Sequence, residues 1–263
     1  MNISLLDMNQ QDEPLYKKPI KVEKKLVHVP VLSEGTVYQL DGFLSYVDTE
    51  HNENHHNTSD LSNIGVVITH PHPMLGGNYN NNVVLGISSF LTNHLHIPTL
   101  CFNFRGVGGS QGKGSWRGSY EREDVLAAVS YLLDHAPIGH RPTRIIIVGY
   151  SYGAVIGSSV ADSHQSIIGY TSVSYPFGPL TLMLLGPLLE LGKSNKPKLF
   201  IQGDRDNFTG TSKYKSRTAD FPHPTEVRLF ENVDHFYGGR EKLLAKEISK
   251  WICTTFTNLP KES

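Results

Sequence analysis

The sequence is poor in cysteine. Only Cys101 and Cys253 occur in 263 residues, and both lie in apolar segments. Small folds held together by disulfides need an even set of closely spaced cysteines. The sequence therefore argues against a disulfide framework, and two buried free thiols fit a reducing compartment.

The chain also lacks an excess of charge of either sign. It has 24 Lys and Arg against 25 Asp and Glu, so its net charge is −1 with histidine neutral. Proteins that bind nucleic acids or anionic membranes through their electrostatic field have a basic surplus. We therefore expect no nucleic-acid partner, and the sequence does not indicate an oligomeric state.

No apolar run is long enough to cross a bilayer, which takes about 20 residues. The most apolar stretch, 180–191, is shorter and contains Gly186 and Pro187. The N-terminus has no basic region ahead of an apolar run, which argues against a signal peptide, and the C-terminal Lys-Glu-Ser matches no retrieval signal. We expect no transmembrane segment and a cytoplasmic location.

What the sequence has instead is an alternation of short apolar runs and helical patterns. The runs are too short for helices and lack polar alternation, which is typical of parallel strands covered on both faces; they are 65–69, 99–104, 144–148, 167–173, 198–202 and 226–230. The helical patterns are 83–94, 120–135, 154–163 and 240–256. Ahead of them, two alternating segments around Ser33-Glu34-Gly35 indicate antiparallel strands. We predict one α/β domain at 25–258, with a mostly parallel, doubly wound sheet, an antiparallel N-terminal edge and helices on both faces.

Three segments do not follow this alternation. Residues 1–24 are polar, and we interpret them as a mobile arm. Residues 48–63 are rich in Asn and His and lack periodicity, which indicates a polar insertion loop rather than a metal site, although three histidines lie there: His51, His55 and His56. Residues 175–197 would lie over the carboxyl edge of the sheet. They form either a short apolar lid or a crossover helix.

The run at 144–148 passes into a helical pattern through Gly149-Tyr150-Ser151-Tyr152-Gly153. In a G-x-S-x-G turn the serine stands at the carboxyl end of a strand, and the glycines occupy positions where a side chain would not fit. Amide N–H groups of the following helix can stabilise negative charge there. We interpret Ser151 as a nucleophile; the alternative is a strand-to-helix turn that happens to contain serine.

A nucleophilic serine needs a base, and the base needs a carboxylate that orients it. The run at 198–202 is followed by Asp204 and Asp206, and the run at 226–230 is followed by His235 in a glycine-rich loop. The chain order Ser, Asp, His is the one described for α/β-hydrolases. A surface or capping histidine is the alternative interpretation of His235.

Five motifs together resemble the α/β-hydrolase superfamily: HPHPMLGG (70–77), NFRGVGGSQG (103–112), GYSYG (149–153), QGDRD (202–206) and DHF (234–236). The sequence is similar to small serine hydrolases of the dienelactone-hydrolase-like and prolyl-oligopeptidase-like types over roughly residues 64–256. The resemblance implies hydrolysis of an ester, thioester or amide through an acyl-enzyme. A carboxylesterase-type activity on a small or medium acyl substrate is favoured over peptidase activity, and a binding protein on the same scaffold is the alternative.

The resemblance also assigns further residues. The acid three residues after the strand-end glycine maps onto Asp206, with Asp204 as the alternative. One oxyanion donor would be the backbone N–H of Tyr152, the residue after the nucleophile. The second would come from the 70–77 loop, where prolines cannot donate, which leaves His72 or Met74.

No cofactor or metal is expected. The glycine-rich segment 106–112 matches neither the dinucleotide-binding nor the Walker A pattern, because Gln111 and Val107 stand where those patterns require glycine. The predicted partner is therefore a small-molecule acyl substrate alone.

Overall fold

The structure is a computed structural model that describes residues 2–6, 21–48 and 61–257. Its strands are β1 (Asn2–Leu6), β2 (Val22–Ser33), β3 (Thr36–Val47), β4 (Ile64–Thr69), β5 (Thr99–Phe102), β6 (Arg144–Tyr150), β7 (Ile167–Val173), β8 (Lys198–Gly203) and β9 (Thr225–Phe230). Its α-helices are α1 (Asn82–Phe90), α2 (Ser119–His135), α3 (Tyr152–Ser159), α4 (Pro179–Leu191), α5 (Thr211–Thr218) and α6 (Glu241–Phe256). A 3₁₀ turn spans Pro73–Leu75, and a π-helical turn extends α1 over Leu91–Leu95.

These strands form one sheet in the order β1-β9-β8-β7-β6-β4-β5-β3-β2. The pairs β2–β3 and β3–β5 are antiparallel, and the other pairs are parallel. The predicted α/β class, with a mostly parallel sheet and an antiparallel edge, is confirmed. Because the parallel strands run in one direction, their carboxyl ends meet at one edge of the sheet.

The core lies on both faces of the sheet, as the unbroken apolar runs predict. Along β6, Ile145 and Ile147 are buried in one hydrophobic cluster, which also contains residues of α2, α3 and α4. Ile146 and Val148 are buried in the other cluster, with residues of α1 and α6. Because side chains alternate along a strand, burying both sets requires a layer of helices on each face.

The three segments that do not follow the alternation agree with their predictions to different degrees. Asn2–Leu6 pairs in parallel with β9, and β2 already begins at Val22, so both ends of the predicted arm 1–24 contain strand residues. Without β1, the edge of β9 would present unpaired backbone groups. The pairing of Asn2–Leu6 satisfies them. Residues 7–20 lie outside the described residues, and so does the 49–60 part of the polar insertion, with its three histidines.

The segment 175–197 contains α4, which has the position of a crossover helix between β7 and β8. Leu185, Leu188 and Leu189 are buried in the same cluster as α3. Leu180 and Met183 on the same helix are exposed. A lid role for this segment stays a prediction. Across the described part of the chain, no helix is long and apolar enough to cross a membrane.

Candidate active site

Ser151 sits in the tight turn between β6 and α3 that its flanking glycines predict. Its backbone has φ 55° and ψ −118°, a conformation that L-residues rarely adopt. A Cβ on Gly149 would lie 2.4 Å from the Ala154 Cα, and one on Gly153 would lie 2.5 Å from the His70 carbonyl oxygen. The turn can therefore be this tight only because glycine occupies both positions.

This close packing gives a prediction about stability. We expect Gly149→Ala to lower the free energy of unfolding by about 1–3 kcal/mol, since the new methyl group overlaps backbone atoms that cannot move independently. Gly210→Ala is the matched control, because a Cβ there meets nothing within 4 Å and its φ of −64° is one that alanine readily adopts. It should change the free energy of unfolding by less than about 1 kcal/mol. Urea unfolding followed by circular dichroism measures both, and equal effects would contradict the packing argument.

The His235 imidazole lies within hydrogen-bond distance of both Ser151 and Asp206. The His235 Nε2 is 3.1 Å from the Ser151 Oγ, and its Nδ1 is 2.7 Å from the Asp206 Oδ2. The loops after β8 and β9 approach closely at Gly203, where a Cβ would lie 2.1 Å from the Val233 carbonyl oxygen. That contact brings the acid and the histidine together although 29 positions separate them.

The two candidate acids differ in environment. Asp204 is exposed at the surface, whereas Asp206 is 6% exposed. Burial raises the pKa of Asp206, but the hydrogen bond and charge of His235 and the N–H of Phe208 outweigh it, so the pKa lies below its ordinary value. The Asp206 Oδ1 accepts from the Phe208 N–H at 2.8 Å. The structure thus provides an ionised carboxylate at Asp206 and leaves Asp204 away from His235.

Aromatic side chains surround His235. The Tyr150 hydroxyl donates to the His235 carbonyl oxygen at 2.8 Å, which anchors the backbone of that loop. The Phe208 ring lies 4.2 Å and the Phe236 ring 5.6 Å from the imidazole, and the two phenylalanine rings are 6.5 Å apart, centroid to centroid. Both phenylalanines are about half exposed. Phe236 belongs to the DHF motif, but no role was predicted for it or for Phe208, although both stand in loops beside the predicted acid and base.

The loop after β4 contains two histidines, His70 and His72, whose rings bond to backbone groups. The buried His70 lies 2.7 Å, through Nδ1, from the Pro71 carbonyl oxygen and accepts from the Phe104 N–H through Nε2 at 3.1 Å. The Met74 N–H donates to the His72 Nδ1 at 3.2 Å, so that amide is already engaged. The His72 and Tyr152 rings pack edge to face, 4.8 Å apart. Of the two predicted second donors, Met74 is therefore the one whose N–H already has an acceptor.

His70 gives a prediction about pH. Burial is the main cause that lowers its pKa to about 4, and an unfolded histidine has a pKa of about 6.5. The unfolded state therefore binds more protons between these values, so His70 contributes stability that is complete above pH 6.5 and is lost as the pH falls towards 4. We expect its loss to account for roughly 2–3 kcal/mol between pH 7 and pH 4.5.

The measurement is urea unfolding at both pH values. In His70→Gln the difference between pH 7 and pH 4.5 should shrink by that amount, because the glutamine does not titrate. His28→Gln is the control, since His28 is exposed on β2. An unchanged pH dependence in His70→Gln would contradict the neutral, buried state of His70.

A buried charge cluster holds the loop after β5. The Arg105 guanidinium bonds to Asp124 with Nε at 2.8 Å and Nη2 at 2.6 Å, and Nη1 donates to the Ser33 Oγ. Glu121 accepts from the N–H and the Oγ of Ser115. The acidic partners were not predicted from the sequence, because they lie on α2 among ordinary polar residues. The described residues contain no group of three or more His, Cys, Asp or Glu side chains placed to hold a metal.

A family model described as an alpha/beta hydrolase domain matches residues 76–252. The chain belongs to the alpha/beta hydrolase family. The match includes the Ser151 turn, Asp206 and His235, while the 70–75 part of the loop after β4 precedes it.

Individual proteins are also similar to this chain. An uncharacterised protein of Rickettsia prowazekii is 28% identical over 209 residues, which covers 76% of this chain and 83% of the relative. An alpha-beta serine hydrolase homologue from Coxiella burnetii is 28% identical, covers 87% of this chain and 96% of its own, and has a TM-score of 0.67. A serine hydrolase without a lid from Xanthomonas campestris, 18% identical with a TM-score of 0.69, covers 90% and 97% and shows the same fold.

Proposed function

We propose that this protein is a serine hydrolase that cleaves a carboxylic ester through an acyl-enzyme, with Ser151 as nucleophile, His235 as general base and acid, and Asp206 as the residue that orients His235. The observation that carries the proposal is the position of the His235 imidazole, 3.1 Å from the Ser151 Oγ and 2.7 Å from the Asp206 carboxylate. The Coxiella burnetii relative, described as a serine hydrolase homologue, supports the reaction class.

In the first step, the Ser151 Oγ forms a bond to the substrate carbonyl carbon while His235 Nε2 takes the hydroxyl proton. The ionised Asp206 holds the Nδ1–H tautomer, so that Nε2 is free to accept, and it stabilises the imidazolium that results. The bond to the leaving oxygen then breaks, and His235 returns the proton to that oxygen. Water, activated by the same imidazole, releases the acid and restores Ser151.

Negative charge on the carbonyl oxygen needs donors already in place. Tyr152 is the first residue of α3, where an N–H has no acceptor within the helix. We assign its N–H as the first oxyanion donor and the His72 N–H as the second. The edge-to-face contact of the two side chains supports this assignment, because it holds both backbones in a fixed relation.

The proposal is tested with matched acetyl compounds: a nitrophenyl ester, a thioester and an anilide. We expect turnover of the ester first, with weaker or no turnover of the anilide, because the amide leaving group requires fuller protonation as it departs. Steady-state kcat/KM for each compound is the readout. If the purified protein turns over none of the three, the protein does not act as a hydrolase on simple acyl groups, and a binding role on the same scaffold is favoured.

A further inference from the structure

A cavity of about 570 Å³ opens between the 72–75 turn, the 105–116 loop and α4. This volume lies in the range of sites that bind small organic molecules. Its walls include the apolar side chains of Val107, Leu180 and Leu184. At its mouth stands Trp116, which is 77% exposed. Met74, Leu75 and Leu180 are also exposed and line the same cavity, and a cluster of exposed apolar side chains around a cavity is typical of a ligand-binding site.

The position of the cavity relative to Ser151 decides which half of an ester it can hold. Tyr152 and His72, the two assigned oxyanion donors, line it. Neither Ser151 nor any described residue of the loops that carry Asp206 and His235 lines it, so the cavity adjoins the nucleophile through Tyr152, the next residue along the chain. The leaving group must lie beside His235 to receive its proton. The cavity is therefore on the acyl side of the scissile bond.

The charges in the cavity wall select against an anionic acyl group. The Arg105 guanidinium is 3% exposed and is engaged by Asp124 and Ser33, so it is not available to a substrate carboxylate. Burial lowers the pKa of His72, which keeps its imidazole neutral. The Glu121 carboxylate is buried in the wall, and a second carboxylate beside it would be repelled and desolvated.

We propose that this cavity is the acyl-binding site and that the substrates are esters of uncharged, apolar acids long enough to fill it. This inference rests on the proposed function and names its substrate class. A chain that extends along the apolar wall as far as Leu184 gains binding through the apolar surface it buries. An acetyl group ends before that wall and does not.

The test uses nitrophenyl acetate, nitrophenyl octanoate and the mono-nitrophenyl ester of octanedioic acid. Native protein should prefer octanoate over acetate in kcat/KM by roughly 10-fold or more, and it should prefer octanoate over the equally long octanedioate by a similar factor. Leu184→Trp fills the cavity and should lower kcat/KM for octanoate by about 10-fold or more while changing acetate by less than about 2-fold. Met183→Trp is the matched control, because Met183 is the exposed neighbour on the same helix and should leave the ratio unchanged.

A second variant keeps the test valid if Leu184→Trp does not fold. Trp116→Ala removes an exposed side chain, so the fold should be unaffected, and the octanoate-to-acetate ratio should fall because apolar contact at the mouth is lost. An unchanged ratio in both variants, or equal loss for every chain length, would overturn the acyl assignment. Equal rates for octanoate and octanedioate would overturn the requirement for an uncharged acid. Absence of turnover of all three esters by the native protein is a different result, because it contradicts the proposed function itself.

Discussion

Replacing Ser151 with alanine should lower kcat for a nitrophenyl ester on the order of 10⁶-fold, because nucleophile, base and acid act as one unit and alanine cannot form the acyl-enzyme. The effect should appear in kcat rather than in KM, since the serine hydroxyl contributes little to binding the ground state. Stopped-flow and steady-state assays of the purified variant measure the change in kcat and KM.

Ser158→Ala is the control for this variant. Ser158 lies at the end of α3 that is far from the Ser151 turn, and its Oγ donates to the Val155 carbonyl oxygen. Its removal should change kcat by less than about 2-fold, because the side chain lies away from the reacting atoms. A Ser151→Ala protein that retains ester hydrolysis at a tenth or more of the native rate would exclude Ser151 as the nucleophile.

The second large effect distinguishes the two aspartates. We expect Asp206→Asn to lower kcat on the order of 10⁴-fold, because the amide NH₂ would donate to His235 Nδ1 and leave the proton on Nε2, where it blocks acceptance from Ser151. Asp204→Asn has the same chemistry at an exposed position and should change kcat by less than about 2-fold.

Circular dichroism and the urea midpoint show whether either asparagine variant is folded. The Asp206 Oδ1 that accepts from Phe208 is retained as an amide oxygen in Asp206→Asn, so the loop should keep its conformation. If the exposed variant loses more activity than the buried one, the acid has been assigned to the wrong residue.

Much of the sheet could be predicted from the sequence because each parallel strand is a short apolar run buried on both faces. The strands β4, β6 and β7 have bounds within two residues of the runs that predicted them. Helix α5 could not be predicted, because Thr-Ser-Lys-Tyr-Lys-Ser-Arg-Thr has no apolar stripe and buries only Tyr214 and Thr218. The pairing of β1 with β9 depends on an open sheet edge and not on the composition of the strand.

The site was predictable to a different degree. The serine, the acid and the histidine each follow a strand, and strand ends converge at one edge, so chain order alone brings them to one place. The cavity was not predictable, because its walls come from α4 and from the 105–116 loop. The conformation of that loop depends on long-range contacts, such as those of the Arg105 guanidinium with Asp124 and Ser33. Such contacts leave no local pattern.

The most direct test of the central claim is to identify the atom that reacts. Native protein should take up one equivalent of a serine-directed fluorophosphonate, and peptide mass spectrometry should find the adduct on Ser151. His235→Ala should slow labelling on the order of 10³-fold or more, because the hydroxyl loses the base that activates it. An adduct on another residue, or no adduct on a folded native protein, would contradict the account.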